Sequence, residues 1–299
     1  MYQTDIKKAQ SLLLKHLSST TTEQAIKWLT QKMDLVRLST ADKDLYLAFS
    51  AAPRFVGKKL LALDPAAITE ANALREGFNP SGWTTDQAAR TLLLLSIPHT
   101  DATAFAEKID NLFDTADMGE LVALYASLPL LPHPEHFKLR AAEGVRSNMG
   151  DVFEAIAHQN PYPADYLEEG AWNQLVLKTI FVAKPLFLIY GLDKRRNPTL
   201  ARILSDYAHE RWAAGRLVTP ELWRSVGPFI NEQLFGDIQK LFADGDPLQQ
   251  EAAALACSES AYVPAKQFLN THAELRNRAT SGEINWEYIG QRHLEQSIA

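Results

Sequence analysis

The chain of 299 residues has one cysteine, Cys257. No disulfide can form within it, which excludes a small secreted scaffold stapled by bridges and suits a reducing compartment. Cys257 follows Ala252-Ala253-Ala254-Leu255-Ala256 and reads as a small residue on a buried helix face rather than a reactive thiol. Long apolar runs are missing as well. The longest, Leu92 to Leu95 and Leu175 to Ala183, fall short of the ~20 residues that span a bilayer, and Lys178 breaks the second. Met1 to Leu17 is charged and amphipathic and has no apolar core of a signal peptide, so the expected localisation is cytoplasmic.

Positive charge is scarce. The net charge is -6, and only Lys194-Arg195-Arg196 forms a basic run, which excludes a broad nucleic-acid surface. Runs of alternating β-branched residues are nearly absent, so strands are not expected. The sequence contains no GxGxxG, no phosphate-binding P-loop, no GxSxG elbow and no HExxH. Without an adjacent His-Asp pair, an HD-type phosphohydrolase is also disfavoured.

What is present is helical periodicity. Apolar residues recur at spacings of three and four in Ile6 to Leu17, Glu23 to Met33, Asp86 to Leu95, Ala102 to Phe113 and Gly119 to Leu128. Start signals agree with it. Asp64-Pro65, Asn197-Pro198, Thr219-Pro220 and Asp246-Pro247 each join a capping side chain to a proline at the first helical position, where the missing N–H is not needed. Asp86 and Asp101 read as further helix openings. The segments 84–97, 101–113, 118–128 and 134–147 succeed one another almost without pause, and 247–257 and 264–279 look like another pair. The expected fold is all-α, with short antiparallel helix pairs stacked into a HEAT/armadillo-like superhelix. No repeat of fixed period is visible, so a compact all-α globule is the alternative. A single helical domain over 1–299 is expected, with Phe78-Asn79-Pro80-Ser81-Gly82 the softest boundary.

Polar residues at helical spacing concentrate between 146 and 216. On a helix from Gly150 to Gln159, Asp151, Glu154 and His158 would fall within about 60° of one another. They read equally as a first-turn acid beside an i,i+4 pair, or as two carboxylates and an imidazole facing a cleft. Pro161 ends that helix; Asn160 can cap its end, and Tyr162, held between two prolines, can wall a pocket or plug the core. Next comes a helix with Trp172, Asn173 and Lys178, apolar nearly all round, where an ammonium needs a partner or a lowered pKa. Then follow Asp193 and a helix opened by Asn197-Pro198 on which Arg202, Asp206 and His209 share a face, with Gly215 to stop it. These twelve residues, from Asp151 to His209, are the candidate ligand-binding set. Metal ligation by Glu154, His158, Asp206 and His209 is the least favoured reading, because the Glu-x-x-His pattern of di-iron bundles is not met. No cofactor is expected. Arg146, Asp193 and Arg216 bind something or brace loops.

The stretch from Gly150 to Pro163, with Ala171-Trp172-Asn173-Gln174, Gly191-Leu192-Asp193 and Asp206 to Arg216, resembles the EboA family, densely from about 139 to 216. The resemblance implies a gene cluster that makes or exports a secondary metabolite, including a cyanobacterial sunscreen-pigment precursor, beside a membrane prenyltransferase and several enzyme-like proteins. It carries no catalytic assignments. The function expected is that of an accessory binding or scaffold protein, holding a small molecule or a partner enzyme of the same pathway at the 146–216 cluster. The rival is an enzyme using those groups for acid–base or metal-assisted chemistry. Membrane contact is expected to be at most peripheral, through the N-terminal helix with Lys7, Lys8 and Lys15 on its polar side.

Overall fold

A computed structural model describes residues 4–39 and 41–298. Among these residues there are eighteen α-helices and no strand; a lone antiparallel bridge joins Leu60 and Thr84. The fold is all-α. The chain divides into two compact units, Met1–Glu168 and Glu169–Ala299. The Phe78–Gly82 turn lies inside the first of them: Phe78 is buried, and Asn79 N–H donates to the Gln159 carbonyl.

The first unit holds α1 (Ile6–Thr20), α2 (Glu23–Leu38), α3 (Asp42–Val56), α4 (Pro65–Leu74), α5 (Thr85–Leu94), α6 (Ala102–Thr115), α7 (Met118–Ser127), α8 (Lys138–Arg146), α9 (Gly150–Ala157) and α10 (Tyr162–Tyr166). Side-chain caps open several of them. Asp64 accepts from Ala67 N–H, and Asp101 from Thr103 and Ala104 N–H. At α5 the cap is Thr84, not Asp86: Thr84 and Gln87 form a reciprocal capping box, which frees Asp86 for the interior. Packing runs α3 on α5, α5 on α7 and α7 on α9, each helix against the next but one in sequence. This alternate-helix stacking is the layering expected of helix pairs in a superhelix. α1 and α2 cover α5 as well, so nearly all of α5 is buried.

Burial on every side brings a charge inside. Arg90 of α5 donates to Asp86 at 2.9 Å, to the Phe49 carbonyl of α3 at 3.1 Å and to the Gly119 carbonyl of α7 at 3.3 Å. Its guanidinium also lies 5.3 Å from the Phe49 ring and 3.9 Å from Glu120. One side chain therefore ties three stacked helices.

The second unit holds α11 (Glu169–Phe181), α12 (Pro198–Ala213), α13 (Trp223–Val226), α14 (Glu232–Phe242), α15 (Pro247–Glu259), α16 (Val263–Asn270), α17 (Ala273–Ser281) and α18 (Trp286–Ile298). Asn197 and Asp246 cap α12 and α15 as their Asn-Pro and Asp-Pro pairs imply. α15 is the centre, packed on by α13, α14, α16, α17 and α18. Its run of buried alanines, with Cys257 beside them, admits neighbours to close range. At Gly227 a Cβ would stand 2.9 Å from the Ala256 Cα, so backbone meets backbone there. Helices gathered around one central helix make this unit a globule rather than a stack.

Replacing Arg90 by Met should destabilise the protein by about 3–5 kcal/mol, because Asp86 and Glu120 would be left buried without their cation. Urea unfolding checks this; a loss under about 1 kcal/mol would show that the guanidinium is not what joins the helices.

Candidate functional site

The sequence-derived candidates fall in both units: Asp151, Glu154, His158, Asn160 and Tyr162 in the first, the rest in the second. In the first unit, Asp151 is an exposed acid in the first turn of α9. The helix ends at Ala157, one residue before His158, whose backbone is extended at ψ 136°; Gln159 then takes a left-handed φ of 52°. His158 is the C-cap, and its N–H still donates to the Glu154 carbonyl at 2.9 Å before the chain turns away at Gln159. Asn160 is fully used. Its amide donates to the carbonyls of Tyr125 (3.0 Å) and Ala155 (2.9 Å), and its oxygen accepts from Tyr162 N–H. Tyr162 is a core residue whose hydroxyl donates to the Pro134 carbonyl, and burial pushes its pKa far up.

In the second unit, Trp172 is buried beneath the Arg195 guanidinium, 5.1 Å from its ring. Asn173 and Asn197 exchange amide hydrogen bonds, so Asn173 braces the cap of α12. Burial lowers the Lys178 pKa. Asp193 accepts both arms of Arg224, at 2.8 and 2.7 Å, with Arg196 at 3.6 Å. Burial opposes its charge, but the hydrogen bond and the two guanidiniums win and hold its pKa below the usual carboxylate value. Asp193 is thus a loop brace. Arg202 and Asp206 line an open groove of about 320 Å³ between α12 and the start of α14.

His209 has a partner that the sequence did not reveal. Its Nε2 lies 2.5 Å from Asp237 of α14, which also accepts from the Ser205 hydroxyl at 2.7 Å. The carboxylate stands between serine and histidine. The Ser205 hydroxyl therefore donates its hydrogen bond to the carboxylate and not to the imidazole, so the serine–imidazole contact of a Ser-His-Asp triad is not formed. Trp212 lies over His209, stacks on the buried Trp223 and carries the Lys240 ammonium 3.8 Å from its ring. Among the described residues no group of three or more His, Cys, Asp or Glu could hold a metal.

A partly enclosed cavity of the second unit lies elsewhere, between the end of α11, the end of α12 and α18, with a volume near 250 Å³. Ile180, Val218 and Glu221 are its buried lining, while Ala183, Leu217, Leu294 and Ser297 are exposed and form its rim. Lys184, Tyr207, Arg211 and His293 complete the wall. It is mostly apolar with a few convergent polar groups, the usual composition of a small-molecule site, though at the lower end in size.

Glu221 is the chemical centre of that cavity. It is only 2% exposed. Its two oxygens accept from the backbone N–H groups of Leu186 (3.0 Å) and Phe187 (2.7 Å), in the short 3-10 turn Leu186–Leu188. Gly290 of α18 closes over it: a Cβ there would stand 2.6 Å from the carboxylate and 2.4 Å from the Phe187 ring. Burial pushes the Glu221 carboxyl up to about 7, against the opposing pull of the two backbone bonds and Arg224. Burial lowers the His293 pKa, with Asp246 opposing, so its imidazole is neutral near pH 7. Neither Glu221, which directly follows Thr219-Pro220, nor His293 carries a signal in the sequence that points to this cavity.

The chain matches the family described as metabolite traffic protein EboA over residues 9–227. It belongs to the EboA family. The match is much longer than the dense segment around 139–216; it includes the cavity residues from Ile180 to Glu221 and leaves α18 outside. No curated protein and no solved structure matches this chain. No described helix of this EboA-family chain is long and apolar enough to cross a membrane.

The raised Glu221 pKa has a defined effect on stability. Its ordinary value is 4.5 and its folded value about 7, so ionising it opposes the fold. Its contribution is fully favourable below about 4.5, is lost as pH rises through about 7, and totals roughly 3 kcal/mol. His293, with a lowered pKa, acts in the opposite sense, losing stability as pH falls below its ordinary value of 6.5. Comparison with Glu221→Gln isolates the carboxyl. At pH 5 the variant should be less stable by about 1–3 kcal/mol, because an amide cannot accept from both backbone N–H groups. By pH 8 the gap should close or reverse. A gap independent of pH in denaturant unfolding would show that burial does not disfavour the charge.

Proposed function

We propose that this protein is an accessory metabolite-binding protein, and that the cavity beside Glu221 is where the small molecule is held. The supporting observation is the partly enclosed, largely apolar space with a buried carboxyl near neutrality and a neutral imidazole in its wall. Membership of a family described as metabolite traffic proteins supports holding and passing on a molecule. A secondary-metabolite pathway and a reducing cytoplasmic setting, which the lone buried Cys257 suits, belong to the same reading. The expected partners are then the small molecule and the pathway proteins that load or unload it.

A second reading, an acid–base enzyme, is favoured by one observation: a carboxyl whose pKa lies near working pH is well matched to proton transfer. Both readings use the same cavity, so occupancy is tested first. N-phenyl-1-naphthylamine, a neutral apolar fluorophore, should bind saturably at one site per chain. Ser297→Trp, which puts a large ring on the exposed rim, should weaken it at least tenfold, and Leu38→Trp on the exposed end of α2 should not. Absence of binding, or equal binding by the Ser297 variant, would remove the cavity as the site.

A further inference from the structure

The Arg211 guanidinium is arranged unlike four other half-buried arginines. Arg140, Arg196, Arg224 and Arg278 each hold a carboxylate of this chain. Arg211 instead donates twice to a single neutral acceptor: Nε and Nη2 reach the Leu217 carbonyl at 3.1 and 3.0 Å. These bonds fix the plane of the guanidinium at the cavity wall. A guanidinium has five N–H donors, so three remain after the two that Leu217 accepts. Among the described residues no acid pairs with Arg211. Leu217 is on the rim and is 88% exposed, which puts the fixed cation towards the mouth, while Ile180 and Val218 are buried lining.

A positioned, unneutralised guanidinium above apolar walls is complementary to a molecule with the reverse polarity. We propose that the cavity's ligand is an apolar molecule ending in a carboxylate, tail inward against Ile180 and Val218 and charged end on Arg211. The assignment rests on the reading of the cavity as a binding site and names the chemical class that it takes. A planar carboxylate matches the guanidinium fork in two parallel hydrogen bonds, an energy and a geometry that a neutral amide cannot reproduce. Glu221 does not repel such an anion strongly, since burial favours its neutral form up to about 7.

The test uses octanoate and octanamide, which share a chain and differ in charge, as competitors of the neutral fluorophore on the full-length protein. Octanoate should displace it at least tenfold more effectively than octanamide. The preference should vanish in Arg211→Gln and persist in Arg211→Lys, which keeps the charge. Equal displacement by the two competitors in the wild-type protein would overturn the carboxylate assignment and leave the cavity standing as a site for neutral molecules. A preference that survives in Arg211→Gln would overturn the role of Arg211. Failure of the fluorophore itself to bind would overturn the cavity reading, and the assignment with it. The wild-type comparison needs no variant, so it decides the ligand class even if Arg211→Gln does not fold.

Discussion

A charge taken out of water must be met by whatever surrounds it, and this requirement organises each unit of the chain. In the first unit the charge is Arg90. α5 is packed on by α1, α2, α3 and α7, so a polar residue on it cannot reach solvent. Arg90 is satisfied only if α3 brings the Phe49 carbonyl, α7 brings Gly119, and Asp86 is released from capping by Thr84. A buried ion pair seldom adds much stability by itself, but breaking one is costly. Arg90 therefore acts less as glue than as a specification: an arrangement that misplaces one of these helices leaves donors or acceptors unmet.

In the second unit the corresponding group is Glu221, and the solution is different. Among the described residues no ion pair holds it. Two backbone N–H groups and the approach of Gly290 enclose it, and the remaining deficit shows as a carboxyl that holds its proton to about 7. Side chains whose only task is bracing look unlike this. Asp193, gripped by Arg224 and Arg196, is held in its charged form. Two acceptor oxygens on one side chain suit the two N–H groups of Leu186 and Phe187, and burial is what raises the carboxyl. Keeping an ionisable group in a cavity at some expense in stability is the usual signature of a site that binds or reacts.

What could be read from the sequence follows from how local each signal is. Asp64-Pro65, Asn197-Pro198 and Asp246-Pro247 specify helix starts within four residues, and all three caps form. Helical periodicity likewise settled the all-α class. Thr84 was passed over for Asp86 because both are good caps two residues apart, and only the burial of Asp86 against Arg90 separates them. The cavity was not legible at all. Glu221 depends on Leu186 and Phe187, 35 and 34 residues earlier in the chain, and on Gly290 far beyond it. Asp237 meets Ser205 and His209 across 32 and 28 residues. The polar density of 146–216 was real, but much of it braces the fold. Asn160 and Asn173 satisfy caps and carbonyls, and Asp193 grips arginines, so residue type alone could not separate bracing from binding.

The two polar constellations of the second unit therefore carry different weight. Ser205, Asp237 and His209 have the residue types of a hydrolase but the wrong order, because the acid sits between the other two and accepts from both. The Ser205 hydroxyl donates its hydrogen bond to Asp237, so no contact in that set joins the hydroxyl to the imidazole. The Glu221 cavity has no nucleophile of that kind, yet its chemistry is incomplete in the opposite sense. It contains a guanidinium with no acid partner among the described residues, a carboxyl disposed to stay protonated and an uncharged imidazole, around open space. A site whose internal hydrogen bonds are saturated is structure. The groups of the cavity are held in place around open space, and that is the ground on which we propose an anion with an apolar body as its occupant.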